Sequence, residues 1–101
     1  MKLKISEVML NNEDVELIFD GLMKKEDFNL ILDNFIEIEG VKIIRQTEDE
    51  SNKACLLSNG KFEFVLVYSS DSFVWNYVYA VKKENHNLLK ALCEKFATIV
   101  S

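Results

Sequence analysis

Apolar and polar positions change their spacing several times along this 101-residue chain, and each change marks an element. "KLKISEVML" at 2–10 alternates and reads as a strand. "NNED" at 11–14 is a turn cluster, and "VELIF" at 15–19 alternates again, so the spacing predicts a hairpin. In "KKEDFNLILDNFI" the period changes: Phe28, Ile31, Leu32 and Phe35 recur at helical spacing. Glu26 and Asp27 fall in the first turn, where the helix dipole favours acids, and the pattern predicts a helix over 24–36. Gly40 permits a sharp return into a strand at 41–46, and "TEDESN" at 47–52 is a polar, acidic loop. "KACLLS" at 53–58 reads as a strand that turns through "NG" at 59–60, the pair that two-residue hairpin turns favour. Two more strands, 61–68 and 73–81, are joined by "SSDS". Leu88, Leu89, Leu92, Cys93, Phe96 and Ile99 then line one side of a C-terminal helix with Asn85 at its cap. The expected fold is α+β in one domain over 1–101. It has an antiparallel sheet of about six strands in ββαββββα order, with two helices packed on one face. The pattern leaves open which side of the later strands the N-terminal hairpin flanks.

Residues 61–81, "KFEFVLVYSSDSFVWNYVYAV", hold six of the ten Phe and Tyr residues and the one Trp. Turn lengths set the register, and register sets the face. A two-residue turn at "NG" places Leu57 opposite Phe62 and Cys55 opposite Phe64. An even loop at "SSDS" places Tyr68 opposite Phe73, Leu66 opposite Trp75, Phe64 opposite Tyr77 and Phe62 opposite Tyr79. All of these share one face, which is the expected floor for the two helices, with Trp75 buried. The other face carries Leu56, Lys61, Glu63, Val65, Val67, Val74, Asn76, Val78 and Ala80. It is mixed, and its valines offer an unclaimed apolar contact, such as a self-association surface.

Charge narrows the partners. The net charge is −5, unevenly placed: residues 1–50 carry six basic and thirteen acidic residues, and 51–101 carry six and four. Basic residues adjoin only as Lys24-Lys25 and Lys82-Lys83. That is too little to displace counterions from a phosphate backbone or to dock on an anionic bilayer, so neither direct nucleic-acid binding nor membrane binding is expected. A basic protein is the better electrostatic match. No stretch has the length of a membrane span or the form of a signal peptide, so a cytoplasmic protein is expected. Cys55 and Cys93 lie 38 residues apart with no metal-site or redox spacing, and read as free buried thiols in a reducing compartment. Lys outnumbers Arg eleven to one, a hint of an AT-rich bacterial or phage-like gene.

Candidate chemistry is sparse. His86 is the one histidine, and no Cys or Ser stands beside it in sequence as a nucleophile to activate. The runs "DNFIEIE" and "TEDE" bring carboxylates together but lack the spacing and glycine of a calcium loop. The chain has no phosphate-binding glycine loop, no nucleophile elbow and no zinc-protease motif, so neither an enzyme, nor a cofactor, nor a metal is expected. The acids suggest another use. Glu13, Asp14, Glu37, Glu39, Glu48, Asp49 and Glu50 all come from turns or element ends, and together they are the candidate acidic rim for steering a partner. Two functions of different kind follow. One is a small protein-binding inhibitor, of immunity, antitoxin or anti-defence type, that masks a basic partner. The alternative is a self-associating structural or housekeeping domain, a possible homodimer, in which the acids serve solubility.

Overall fold

The computed structural model describes residues 4–10, 14–20, 24–69 and 75–100, with side chains for 5–7, 16–19, 24–69 and 76–96. The elements are β1 (Lys4–Leu10), β2 (Asp14–Asp20), α1 (Asp27–Ile36), β3 (Lys42–Glu48), β4 (Asn52–Ser58), β5 (Glu63–Ser69), β6 (Trp75–Ala80) and α2 (His86–Val100). They form the α+β fold in ββαββββα order that the sequence predicts. The six strands make one antiparallel sheet in the order β1-β2-β6-β5-β4-β3. The N-terminal hairpin therefore flanks the far strand of the meander, β2 pairing with β6 through Leu17–Val78 and Ile18–Tyr77.

Both helices bury their apolar stripes on one face of this sheet. Phe28, Ile31, Leu32 and Phe35 of α1 and Leu89, Cys93 and Phe96 of α2 meet Leu17, Phe19, Cys55, Leu57, Phe64, Leu66 and Val78 from the strands. Phe35 stands at the centre. Its ring stacks on Phe96 at 4.6 Å between centroids and lies 5.3 Å from Phe64 and 6.0 Å from Phe19. One aromatic from each helix thus meets one from each half of the sheet, and offset contacts of this kind add about 0.5–1.5 kcal/mol to simple burial.

Local chemistry moves several boundaries. The first helix begins at Asp27, three residues later than expected. The Asp27 carboxylate accepts the Lys24 N–H at 3.1 Å, and Asp27 and Phe28 donate to the carbonyls of Lys24 and Lys25, which folds 24–26 into a turn. Asn85 closes a 3₁₀ turn, Lys83–Asn85, that runs into α2, its N–H donating to Lys82 O at 2.9 Å. Gly40 and Gly60 both have φ of +89°, where a side chain would be strained.

Two hairpin registers differ from expectation, with opposite consequences. At the first, Asn59 and Phe62 face each other around Gly60-Lys61: the Asn59 N–H donates to Phe62 O at 3.3 Å, and the Phe62 N–H donates to Asn59 Oδ1 at 3.0 Å. Glycine thus takes the first central position, as in a type II′ turn, instead of the second. The pairing moves by two residues, Leu57 opposite Phe64, and the inward face is kept. At the second, Ser69 pairs with Trp75 and Phe64 with Ala80, so the strands are separated by five residues where the sequence pattern suggests four. This odd shift turns β6 over. Asn76, Val78 and Ala80 face the helices, while Tyr77 and Tyr79 face away. Phe73, Val74 and the connecting loop lie outside the described residues, as do the side chains of Trp75 and Ile99.

The polar residues on the helix face each hold elements together. Asn76 is fully buried, and its Nδ2 donates to the Lys24 carbonyl at 3.0 Å, fastening the entry turn of α1 to β6. Lys53 is held with its ammonium 5.5 Å above the Phe28 ring and 3.9 Å from Glu48. Glu7 on β1 receives His86 Nε2–H at 2.9 Å and lies 3.3 Å from the Lys90 ammonium. His86 and Lys90 are one turn apart on α2, so a single carboxylate clamps the start of that helix to the sheet. The hydrogen bond from His86, then that from Lys90, hold the Glu7 carboxyl below its ordinary value of 4.5.

Two outcomes follow. Phe35→Ala empties the centre of the cluster and is expected to lower unfolding free energy by about 3–5 kcal/mol, read by urea titration. Glu7→Gln is expected to cost at most about 1 kcal/mol at neutral pH, because the group is half exposed. A carboxylate with a lowered folded-state pKa stabilises above its unfolded value of 4.5, and that contribution is lost as pH falls through the folded value. The gap between wild type and Glu7→Gln in urea titrations should therefore narrow as pH is lowered below 4.5.

Candidate functional site

The sheet face turned away from the helices is a candidate surface. Strand register arranges it in rows. Ile18 pairs with Tyr77, Tyr77 with Val67, Val67 with Ala54 and Ala54 with Thr47, giving one row across five strands. The neighbouring row runs Tyr79, Val65, Leu56 and Arg45, and the same β2–β6 register sets Glu16 abreast of Tyr79. The centre is apolar, and in the second row Glu16 and Arg45, two strands to either side of β5, carry opposite charges; beyond Glu16 the row continues to Val8 on β1. Val65, Val67, Ala54, Leu56, Tyr77 and Tyr79 are all half-buried, and Ile18 is only 4% exposed. Tyr77 and Tyr79 lie stacked, their centroids 6.4 Å apart. Burial raises both phenols above their ordinary value, with the Glu16 carboxylate adding to the effect.

This surface inverts part of what the sequence predicts. The alternation places Tyr77 and Tyr79 in the core and Val78 on the open face; the β5–β6 register exchanges them. Sequence alone does not single out Glu16 and Arg45. Only the strand order shows that they share one row, because β2 and β3 are far apart in the chain.

The seven acids of the expected rim are dispersed. Glu37 and Glu39 follow α1, close to where β3 begins, while Glu48, Asp49 and Glu50 form the turn where β3 ends. Six steps along the seven-residue strand separate those ends, roughly 20 Å. Asp14 opens β2, pairing with Leu10, at the same end of the sheet as Glu37 and Glu39 but four strand spacings from β3, roughly 19 Å. Glu13 lies outside the described residues, as does the Asp14 side chain. Among the described residues of the rim, the tight acidic group is therefore Glu48–Asp49–Glu50, all exposed. Within it Asp49 shapes the turn, since its Oδ1 accepts the N–H of Ser51 at 2.9 Å and of Asn52 at 2.8 Å. Those two bonds hold its carboxyl below the ordinary range.

Other groups offer less. Cys55 and Cys93 are free and buried; desolvation pushes the Cys55 thiol up to about 11 and raises Cys93 as well, so neither is poised as a thiolate. A groove of about 320 Å³ at the Gly60 end combines Ile44, Phe62 and Val81 with Lys61, Lys82 and Glu63. It is an amphipathic recess whose lining also holds Ser58, the cross-strand partner of Glu63; the Ser58 hydroxyl oxygen accepts the Gly60 N–H at 3.0 Å. Among the described residues no group of three or more His, Cys, Asp or Glu is placed to hold a metal ion. Among them, too, no helix is long and apolar enough to cross a membrane. Comparison of the chain with protein families, with curated proteins and with solved structures finds no match.

Proposed function

We propose that this chain is a small acidic protein-binding module that acts by contact, and that its contact surface is the open face of the sheet. The observation that carries this reading is the pair of rows across β2, β6, β5, β4 and β3, apolar at the centre, with Glu16 on β2 and Thr47 and Arg45 on β3. An apolar centre with tyrosines, bounded by charged and hydroxyl groups, is the composition of a protein interface. The free, buried thiols suit a cytoplasmic setting. Val67 sits mid-row and half-buried, so Val67→Glu is the direct test. The expected result is loss of every association the wild type shows, with its own copies or with a captured protein, while circular dichroism is unchanged. Associations that survive Val67→Glu would place the contact elsewhere.

A second reading, an inhibitor that covers a basic site on another protein, draws on the exposed turn Glu48–Asp49–Glu50 and the net charge of −5. Its test must spare Asp49, which builds the turn. Replacing Glu48 by Gln, which sets no second ammonium beside the buried Lys53, and Glu50 by Lys is expected to weaken capture of a basic protein from lysate at low salt and to leave the fold intact. Equal capture by wild type and double variant at low salt would remove the turn from the binding surface.

A further inference from the structure

We propose that the open sheet face binds a second copy of this chain, face to face, about a two-fold axis that runs along β5. This rests on the reading of that face as the contact surface and names its partner. In the strand order β1-β2-β6-β5-β4-β3, β5 stands midway between β2 and β3 and midway between β6 and β4. A half-turn about a line along β5 in the plane of contact lays β2 over the partner's β3 and β6 over the partner's β4. It keeps each residue at its own level along the strands.

The rows are complementary under that operation. Glu16 on β2 falls over the partner's Arg45 on β3, and by symmetry the reverse contact forms as well. Tyr77 falls over the partner's Ala54, and Tyr79 over the partner's Leu56. Large side chains thus meet smaller ones, while Val65 and Val67 meet their own copies at the axis. The register of no other central strand brings the two charges of this row together.

Shape agrees with charge. A half-turn along the strand direction leaves the right-handed twist of a sheet unchanged, so the two surfaces curve alike and stay about 10 Å apart across the contact. Five strands at about 4.8 Å spacing and seven residues at about 3.3 Å give a footprint near 500 Å² per copy. The total of about 1,000 Å² lies at the threshold for a biological interface, in the range of weak or transient contacts.

Sedimentation equilibrium across a concentration series tests this with charge swaps. The wild type should reach twice the chain mass. Glu16→Arg alone and Arg45→Glu alone should each weaken the dimer by about tenfold or more, since each places like charges together twice. Mixing the two single variants should restore the dimer as a one-to-one heterodimer, because the swapped charges then match at both contacts. Ala54→Arg, which blocks the seat of the partner's Tyr77, should also give monomer. Circular dichroism checks each variant's fold, and the mixture reports on any variant that misfolds by failing to pair. A wild type that stays monomeric throughout overturns the proposal, as does a dimer indifferent to all three substitutions. If the wild type is monomeric while Val67→Glu still abolishes capture of another protein, self-pairing falls and the open face stands as a contact surface for that protein.

Discussion

The pairing of β5 with β6 decides which side of the sheet is dry. With Phe64 opposite Ala80 and Tyr68 opposite Asn76, β6 offers the helices a small, a branched and a polar residue. Bulk then has to come from elsewhere, and Phe19, Phe35, Phe64 and Phe96 supply it. The same pairing turns Tyr77 and Tyr79 outward beside Val65 and Val67. A shift of one residue would exchange the two sets and leave no tyrosine on the open face. The core and the candidate contact surface are thus two consequences of one register.

That register is held from both sides of β6. Leu17 and Ile18 fix it against β2, and six pairs fix it against β5. Asn76 adds a third restraint, because its amide reaches the Lys24 carbonyl only when β6 presents this face to α1. A buried asparagine contributes little net stability, but a wrong register would leave its amide unsatisfied, which costs about 1–3 kcal/mol. Polar burial here selects among arrangements more than it strengthens one.

Much of the architecture is legible in the sequence because period and parity are local properties. Phe28, Ile31, Leu32 and Phe35 declare a helix by spacing alone, and Cys55, Leu57, Phe64 and Leu66 keep their face although the turn at Gly60 sits one residue later than expected. β6 is not legible in the same way. "WNYVYA" shows its largest apolar residues on alternate positions, so the pattern favours Tyr77 and Tyr79 inward. What overrides it is a loop one residue longer than the apparent one, together with neighbours on both sides that the chain order does not reveal. The acids are harder still. Residue spacing places Glu37 and Glu48 eleven positions apart, but only strand direction shows that they stand at opposite ends of β3. Glu16 and Arg45 pose the converse case: distant in sequence, they share one row.

The two readings of function share a geometry. A half-turn along β5 keeps every strand end at its own end of the pair. Both Glu48–Asp49–Glu50 turns of such a dimer therefore stand on one end, displaced across four strand spacings and one sheet separation, roughly 20 Å apart. Each turn is held in shape by Asp49, so the carboxylates of Glu48 and Glu50 project from a fixed backbone. A basic surface long enough to meet both would be held at two points, and the second contact would form at a high effective concentration. Self-pairing through the open face and attraction of a basic partner are then compatible, because they use different parts of the sheet: its face for one and a strand end for the other.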